Sequence, residues 1–176
     1  MKKPFYLFLF FLFLGFRTFA QFSWVQIGVD GLTCSACSRS VEMSIRKLSF
    51  VDSVVMNLEH TQGKITFKKE AKVDIDKIAK AVTDAGFSLR SLYAGITIPE
   101  LTINNDFCWI LENNNYHFIK VADSKVLKGT VALQFVGEKF MSKKEFKNWK
   151  MFCITTCTNS SISTTPFSKT YYVSFQ

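Results

Sequence analysis

Two cysteines separated by two residues, Cys34 and Cys37, are the side chains whose type and spacing most directly imply chemistry. Two thiols at this spacing can bind one soft metal ion or form a disulfide. Helical spacing of apolar residues starts at Cys37, so the second thiol should lie in the first turn of a helix. Free backbone N–H groups and the helix dipole favour negative charge there. We therefore expect a thiolate that can act as a metal ligand or as a nucleophile.

The number of available ligands narrows the choice of metal. Thiolate is a soft ligand that selects Cu(I), Hg(II) or Zn(II) over hard cations. Zinc in proteins usually has about four ligands, whereas the motif at Cys34 and Cys37 supplies two. Two sulfurs are enough for a Cu(I) or Hg(II) ion in near-linear coordination. Such an ion is open to attack by the cysteines of a partner, which suits transport.

The elements around the two cysteines follow from hydrophobic periodicity. Period-two alternation indicates strands, and apolar residues three and four apart indicate helices, with Ser35 or Thr33 capping the first helix and Asp74 the second. The predicted elements are strand 24–30, helix 37–49, strands 51–58 and 64–67, helix 75–85 and strand 87–92. This βαββαβ order predicts an α+β, ferredoxin-like domain with two helices on one face of a four-stranded antiparallel sheet. The cysteines should lie at one end of that sheet.

Residues 31–42, GLTCSACSRSVE, resemble the signature of the heavy-metal-associated domain family, usually Gly-Met-Thr-Cys-x-x-Cys followed by Val-Glu. That family includes small copper chaperones, the metal-binding N-terminal domains of copper-transporting P-type ATPases and a periplasmic mercuric-ion binding protein. The stretch DAGF at 84–87 is similar to its closing segment, where an aromatic residue packs beside the metal loop. The resemblance covers residues 24–93. It implies the ferredoxin-like fold, metal ligation by Cys34 and Cys37, and shielding by Phe87.

Two departures from the family pattern bear on the metal. Leu32 stands where methionine is usual, and because that side chain packs beneath the loop, leucine should serve. Thr33 precedes Cys34, whereas relatives selective for zinc or cadmium often have an acidic residue there. The resemblance therefore favours Cu(I), with Hg(II) second and Zn(II) possible. Gly31, Leu32 and Thr33 would shape the site. The implied partner is a metal-donor or metal-acceptor protein, such as a transporter or cuproprotein.

Three other interpretations of Cys34 and Cys37 stay open. The pair could form a local structural disulfide, or it could belong to a scavenger that sequesters mercury or copper without delivering it. A thiol–disulfide oxidoreductase would use the same two thiols, although Ser35 and Ala36 lack the aromatic, glycine or proline residues common in such motifs. The sequence shows no serine–histidine–carboxylate set, phosphate loop or paired-carboxylate site. We therefore expect a protein that is not an enzyme and has no small-molecule substrate.

Residues 94–176 differ in character and predict a small, mostly-β second domain of unknown family. Predicted strands cover 96–103, 107–111, 116–121, 130–136 and 171–175, with a turn at 113–115, a helix over 142–149 and a loop over 155–166. The helix opens with a capping-box pattern at Ser142 and Glu145. A small barrel of the oligonucleotide/oligosaccharide-binding type is conceivable from the strand count.

The second region also contains the other three cysteines, Cys108, Cys153 and Cys157. We expect a structural disulfide here, either between Cys153 and Cys157 or between one of them and Cys108. A second metal site formed by these three cysteines and His117 is the alternative. The total of five cysteines is odd, so at least one is free, metal-bound or paired between chains.

The first twenty residues have the pattern of a signal peptide. Lys2 and Lys3 precede an apolar run over 5–16, and small residues end the segment at Ala20, so we expect cleavage before Gln21. An uncleaved membrane anchor is the alternative, although the apolar run is short for a spanning helix. The protein should be exported, periplasmic or secreted, and its thiols must then stay reduced outside the cytoplasm.

The charge of the mature chain is mildly positive. It has 19 basic and 14 acidic residues, so its net charge is about +5. These charges are interspersed rather than clustered, and they give no indication of a nucleic-acid partner.

Overall fold

A computed structural model describes residues 21–155, 157–158 and 169–175. The predicted signal peptide, 1–20, lies outside the described residues, as does most of the predicted loop over 155–166. The strands are β1 Gln21–Asp30, β2 Val51–Asn57, β3 Gln62–Phe67, β4 Ser88–Ile103, β5 Cys108–Leu111, β6 Asn114–Phe118, β7 Lys125–Val136 and β8 Lys169–Ser174. The helices are α1 Ser35–Arg46, α2 Ile75–Asp84 and α3 Lys143–Trp149, the last followed by a 3₁₀ turn over Lys150–Ile154.

The first six elements have the predicted βαββαβ order. Their strands lie in the order β2-β3-β1-β4, and each neighbouring pair is antiparallel. The core beneath the helices consists of fully buried aliphatic side chains, among them Val25, Ile27, Val41, Ile45 and Ile78. The alternating pattern on β1 and the helical stripes on α1 and α2 therefore meet as the periodicity predicts. This confirms the α+β ferredoxin-like part of the predicted fold.

The fourth strand is longer than the sequence pattern indicates. The strands predicted over 87–92 and 96–103 are one strand of 16 residues, which passes without a break through residue 93, the predicted domain boundary. Gly95 is the reason that the pattern looks interrupted. It lies opposite Trp24 on β1, and a Cβ at this position would clash with the indole ring. Glycine here permits close approach of a neighbouring side chain and does not end the strand.

The second region adds its strands to the free edge of β4. β7 pairs antiparallel with β4 from Tyr93 to Ile103, and the complete order is β2-β3-β1-β4-β7-β8-β6-β5. β8 and β6 form the one parallel pair among the described strands. The region is mostly β, as predicted, but its strands extend the existing sheet. The turn predicted at 113–115 falls at Glu112 and Asn113, both with positive φ, so Asn114 and Asn115 already belong to β6.

The two regions share one core. Tyr116 and Tyr171 pack in an aromatic cluster with Phe135, and Tyr116 also contacts Phe22 of β1, with ring centroids 6.5 Å apart. The Tyr171 hydroxyl donates to Asp76 at the start of α2, at 3.1 Å. β8 is therefore joined to the first region by both apolar and polar contacts.

Within the described part of the chain, no helix combines the length and apolar character needed to cross a membrane.

Candidate metal centre

Cys34 and Cys37 lie where β1 passes into α1. β1 ends at Asp30, Gly31 turns the chain with a φ of 86°, and Cys34 is the residue that caps α1. Leu32 is buried at 4% exposure, so it packs into the core beneath the loop as the family resemblance implies. A positive φ is easily adopted by glycine, which explains why glycine precedes the two residues leading into the site.

The N-cap of α1 differs from the prediction. Neither Ser35 nor Thr33 caps the helix; the Sγ of Cys34 accepts a hydrogen bond from the backbone N–H of Cys37 at 3.3 Å. The Cys34 sulfur does here what a serine or aspartate oxygen does at other helix starts, because the first backbone N–H groups have no partner within the helix. The helix also ends earlier than predicted, at Arg46 rather than near Ser49.

The two sulfurs face each other at the surface. Their Sγ atoms lie 2.7 Å apart, and neither is in a disulfide. Cys34 is exposed and Cys37 is half-buried, so one thiol is open to an approaching group while the other lies against the core. The structure thus brings both predicted ligands together at a position that a partner protein can reach.

Electrostatics favour the ionised form of Cys34. The hydrogen bond to the Cys37 side chain is the largest cause, and with the backbone N–H of Cys37 it lowers the pKa of the Cys34 thiol below its ordinary value. The first turn of α1 contains no acidic residue that would oppose a thiolate. Cys34 is therefore a better ligand and nucleophile near neutral pH than an ordinary exposed cysteine.

Phe87 packs beside the loop. Its ring lies against Gly31, where a Cβ would be 3.6 Å from the nearest ring carbon. Phe87 therefore lies beside the start of the loop, where the family resemblance implies a shielding aromatic residue. Phe87 itself is half-buried.

Arg90 is a supporting residue that the sequence pattern does not indicate. Its guanidinium donates to the Thr61 hydroxyl at 2.8 Å and to the His60 carbonyl at 3.2 Å, and it lies 3.6 Å from the Asp30 carboxylate. It therefore joins the β2–β3 turn to the end of β1, just before the cysteine loop. A single arginine between Leu89 and Ser91 on a strand carries no sequence signal for this role. His60 itself is an exposed residue of that turn.

The other three cysteines divide into a pair and a free thiol. Cys108 and Cys157 form a disulfide, with Cα atoms 5.5 Å apart, which is one of the pairings that the sequence left open. Cys153 is free and half-buried, its Sγ donates to the Trp149 carbonyl at 3.5 Å, and burial raises its pKa. Of the four residues in the alternative metal site, Cys108, His117 and Cys157 come together, and Cys153 is not in that group.

Comparison with known proteins identifies a family match in the first region of the chain. A profile of the heavy-metal-associated domain matches residues 26–88. The periplasmic component of mercuric transport from Pseudomonas aeruginosa is 38% identical over 63 residues, 36% of this chain and 68% of that protein. A copper-transporting ATPase from Helicobacter pylori is 33% identical over 66 residues, 38% of this chain and 9% of the ATPase.

Solved structures align with about 40% of the chain. Oxidized MerP from Ralstonia metallidurans CH34 is 38% identical, and the alignment covers 40% of this chain and 96% of that one, with a TM-score of 0.35. The CopZ metallochaperone is 27% identical over 38% of this chain and 98% of its own, with a TM-score of 0.36. On the profile match and the mercuric transport relatives, this chain belongs to the heavy-metal-associated domain family through its first region, which carries Cys34 and Cys37.

Proposed function

We propose that the protein captures Cu(I) through Cys34 and Cys37 outside the cytoplasm and passes it to a partner by ligand exchange. The ion is cargo, and no covalent bond of a substrate is made or broken, so the protein acts as a metal carrier and not as an enzyme. The observation that carries the proposal is the paired thiols at the exposed start of α1, with Cys34 ionised more readily than an ordinary thiol.

The small ligand set supports Cu(I) over Zn(II). Among the described residues, the one group of three or more His, Cys, Asp or Glu side chains placed to hold an ion lies elsewhere, around Cys108. In the part of the chain that the structure describes, Cys34 and Cys37 therefore offer two sulfurs and no third ligand of these types. Zinc sites usually complete four-fold coordination, whereas Cu(I) is stable with two thiolates.

Transfer follows from exposure of the site. A partner thiolate can approach the ion from the Cys34 side, form a third metal–sulfur bond, and weaken the bonds to Cys34 and Cys37. A second partner sulfur then completes the exchange, the ion keeps its oxidation state, and the released thiolates take up protons from water. The partner class is a metal donor or acceptor that presents a similar pair of thiols, such as a transporter or a cuproprotein.

Hg(II) is the second candidate cargo, because several related proteins are named as periplasmic components of mercuric transport. Their names also support export, in line with the signal-peptide pattern over residues 1–20.

The test is a titration of the mature protein, reduced at Cys34 and Cys37, with Cu(I), Hg(II) and Zn(II) in competition with chromophoric chelators. We expect one Cu(I) per chain at this site, lost in both Cys34→Ser and Cys37→Ser and kept in the matched control Cys153→Ser. Tighter binding of Hg(II) with no transfer of Cu(I) to an acceptor domain would move the assignment to mercury. Reduction of insulin disulfides without tight metal binding would make the protein an oxidoreductase and overturn the proposal.

A further inference from the structure

The Cys108–Cys157 disulfide lies within a cluster of buried polar side chains far along the sheet from the CxxC site. Cys108 is 3% exposed, and its partner across the β5–β6 ladder, His117, is 2% exposed. One ring nitrogen of His117 and the sulfurs of Cys108 and Cys157 all lie within 4.8 Å of one another. Two sulfurs and an imidazole at this spacing are a ligand set for a borderline metal ion.

The orientation of His117 is fixed by Asp106. The Nε2 atom lies 3.2 Å from the Asp106 carboxylate, so Nδ1 is the nitrogen left for a metal. Histidines that bind metals almost always donate their other N–H to a carboxylate or carbonyl, which holds the ring in place and makes the ligand more basic. A disulfide has no need of such an arrangement beside it.

Asn115 is a second buried polar group, after His117, whose arrangement the disulfide does not require. It is 4% exposed, and its Nδ2 lies 3.6 Å from the Cys108 sulfur and 3.8 Å from the Cys157 sulfur. Its Oδ1 accepts no hydrogen bond among the described residues. An amide that donates to two sulfurs stabilises them better as thiolates than as a neutral disulfide. The unsatisfied oxygen is a cost that a nearby ion or its bound water would remove.

The segment that carries Cys157 is held in place without the disulfide. The Thr158 backbone N–H donates to the Asp106 carbonyl at 2.8 Å, and the Thr155 hydroxyl donates to the Asp106 carboxylate. Both contacts would persist if the S–S bond were broken. Cys157 would then stay beside Cys108 and His117.

We propose that reduction of this disulfide creates a Zn(II) site formed by Cys108, Cys157 and His117. An external dithiol acts as the reductant: it supplies two electrons and two protons and is itself oxidised to a disulfide. The Cys108–Cys157 bond is thereby replaced by two thiols. Zn(II) then displaces both thiol protons and accepts the His117 nitrogen. Three protein ligands leave one position for the Asn115 oxygen or water, as in other zinc sites with an open coordination position. Oxidation closes the site, so zinc binding here reports the thiol redox state.

The test uses the full mature chain with Cys34→Ser and Cys37→Ser, so that the CxxC site cannot contribute. Zn(II) affinity is measured by chelator competition before and after reduction with dithiothreitol and its anaerobic removal, and Co(II) is used as a spectroscopic probe. We expect one Zn(II) per chain, bound at least 100-fold more tightly after reduction, and a sulfur-to-cobalt charge-transfer band. Asp106→Asn and His117→Ala should each weaken binding about 10- to 100-fold, and Cys153→Ser should leave it unchanged.

Equal Zn(II) affinity in the oxidised and reduced proteins would overturn the proposal, and so would full retention of affinity in His117→Ala. If reduction loosens the second region, near-ultraviolet circular dichroism provides the second readout. Zn(II) should then restore the spectrum of the reduced parent, which is the chain with Cys34→Ser and Cys37→Ser. It should not restore the spectrum of the same chain with His117→Ala. Because the parent lacks the CxxC thiols, this result is independent of whether the protein carries Cu(I).

Discussion

The Cys108–Cys157 disulfide should contribute a large share of the stability of the folded chain. It closes a loop with a sequence separation of 49 residues, and the chain-entropy relation for a loop of that length gives about 4 kcal/mol at 25 °C. Domains of this size usually have a free energy of unfolding of about 5–15 kcal/mol. The double variant Cys108→Ala, Cys157→Ala should therefore fold but be only marginally stable.

The native contacts around the disulfide explain why folding should survive. β5 and β6 pair through four residues each, and β6 pairs with β8 through five more, none of which needs the S–S bond. The loss should thus come chiefly from the greater freedom of the unfolded chain.

Urea unfolding followed by circular dichroism measures this contribution. For an m-value of about 2 kcal/mol/M, the unfolding midpoint of the double variant should fall by about 2 M. Cys153→Ala is the matched control because Cys153 is half-buried but forms no crosslink, and its midpoint should move by a small fraction of that shift. Midpoints for the double variant and the control that agree within about 0.3 M would refute the loop-entropy reasoning.

Two further predictions concern ionisable groups. Alkylation of Cys34 by iodoacetamide should reach half its limiting rate at a lower pH than alkylation of Cys153, because hydrogen bonds lower the pKa of Cys34 and burial raises the pKa of Cys153. Peptide mass spectrometry resolves the two sites. The reverse order would contradict the N-cap geometry. Burial alone would raise the pKa of Asp76, but Lys139 and Lys169 outweigh it and lower the folded-state value. The stabilisation by these two ion pairs is fully present above the pKa of Asp76 in the unfolded chain. It disappears as the pH falls through the lower pKa of Asp76 in the folded chain. Asp76→Asn should therefore lose about 1 kcal/mol at pH 7 and nothing at low pH, and a pH-independent difference in urea midpoints would count against the ion pairs.

Local patterns predicted the first six elements because each buries one periodic face. The alternation on β1 and the stripe of Ile75, Ile78 and Val82 on α2 need no knowledge of distant partners. The CxxC site could be predicted for the same reason, since both of its ligands lie in one turn of chain. The thiol cap at Cys34 could not, because cap preferences point to the neighbouring serine and threonine.

Long-range pairings account for the rest. Nothing near Cys108 in the sequence indicates Cys157 as its partner, since that choice depends on distant contacts such as the hydrogen bond from the Thr158 backbone N–H to the Asp106 carbonyl. The continuity of β4 was hidden by Gly95, whose role becomes visible only when Trp24 is placed opposite it. Arg90 likewise acquires its function from the turn at Thr61, which lies 29 residues earlier in the chain.

The unbroken β4 strand has a consequence for how separable the metal-binding region is. Where such a domain stands alone, its last strand is a sheet edge that must be protected against pairing with other chains. Here both edges of β4 are hydrogen-bonded, one to β1 and the other to β7. A chain shortened to end at residue 93 would cut this strand and remove Ala94 and Ile96, whose side chains are buried in the core, together with β7, which covers the edge of β4. The metal-binding region of this protein is thus not a portable module, and fusions or truncations should keep the strands after residue 93.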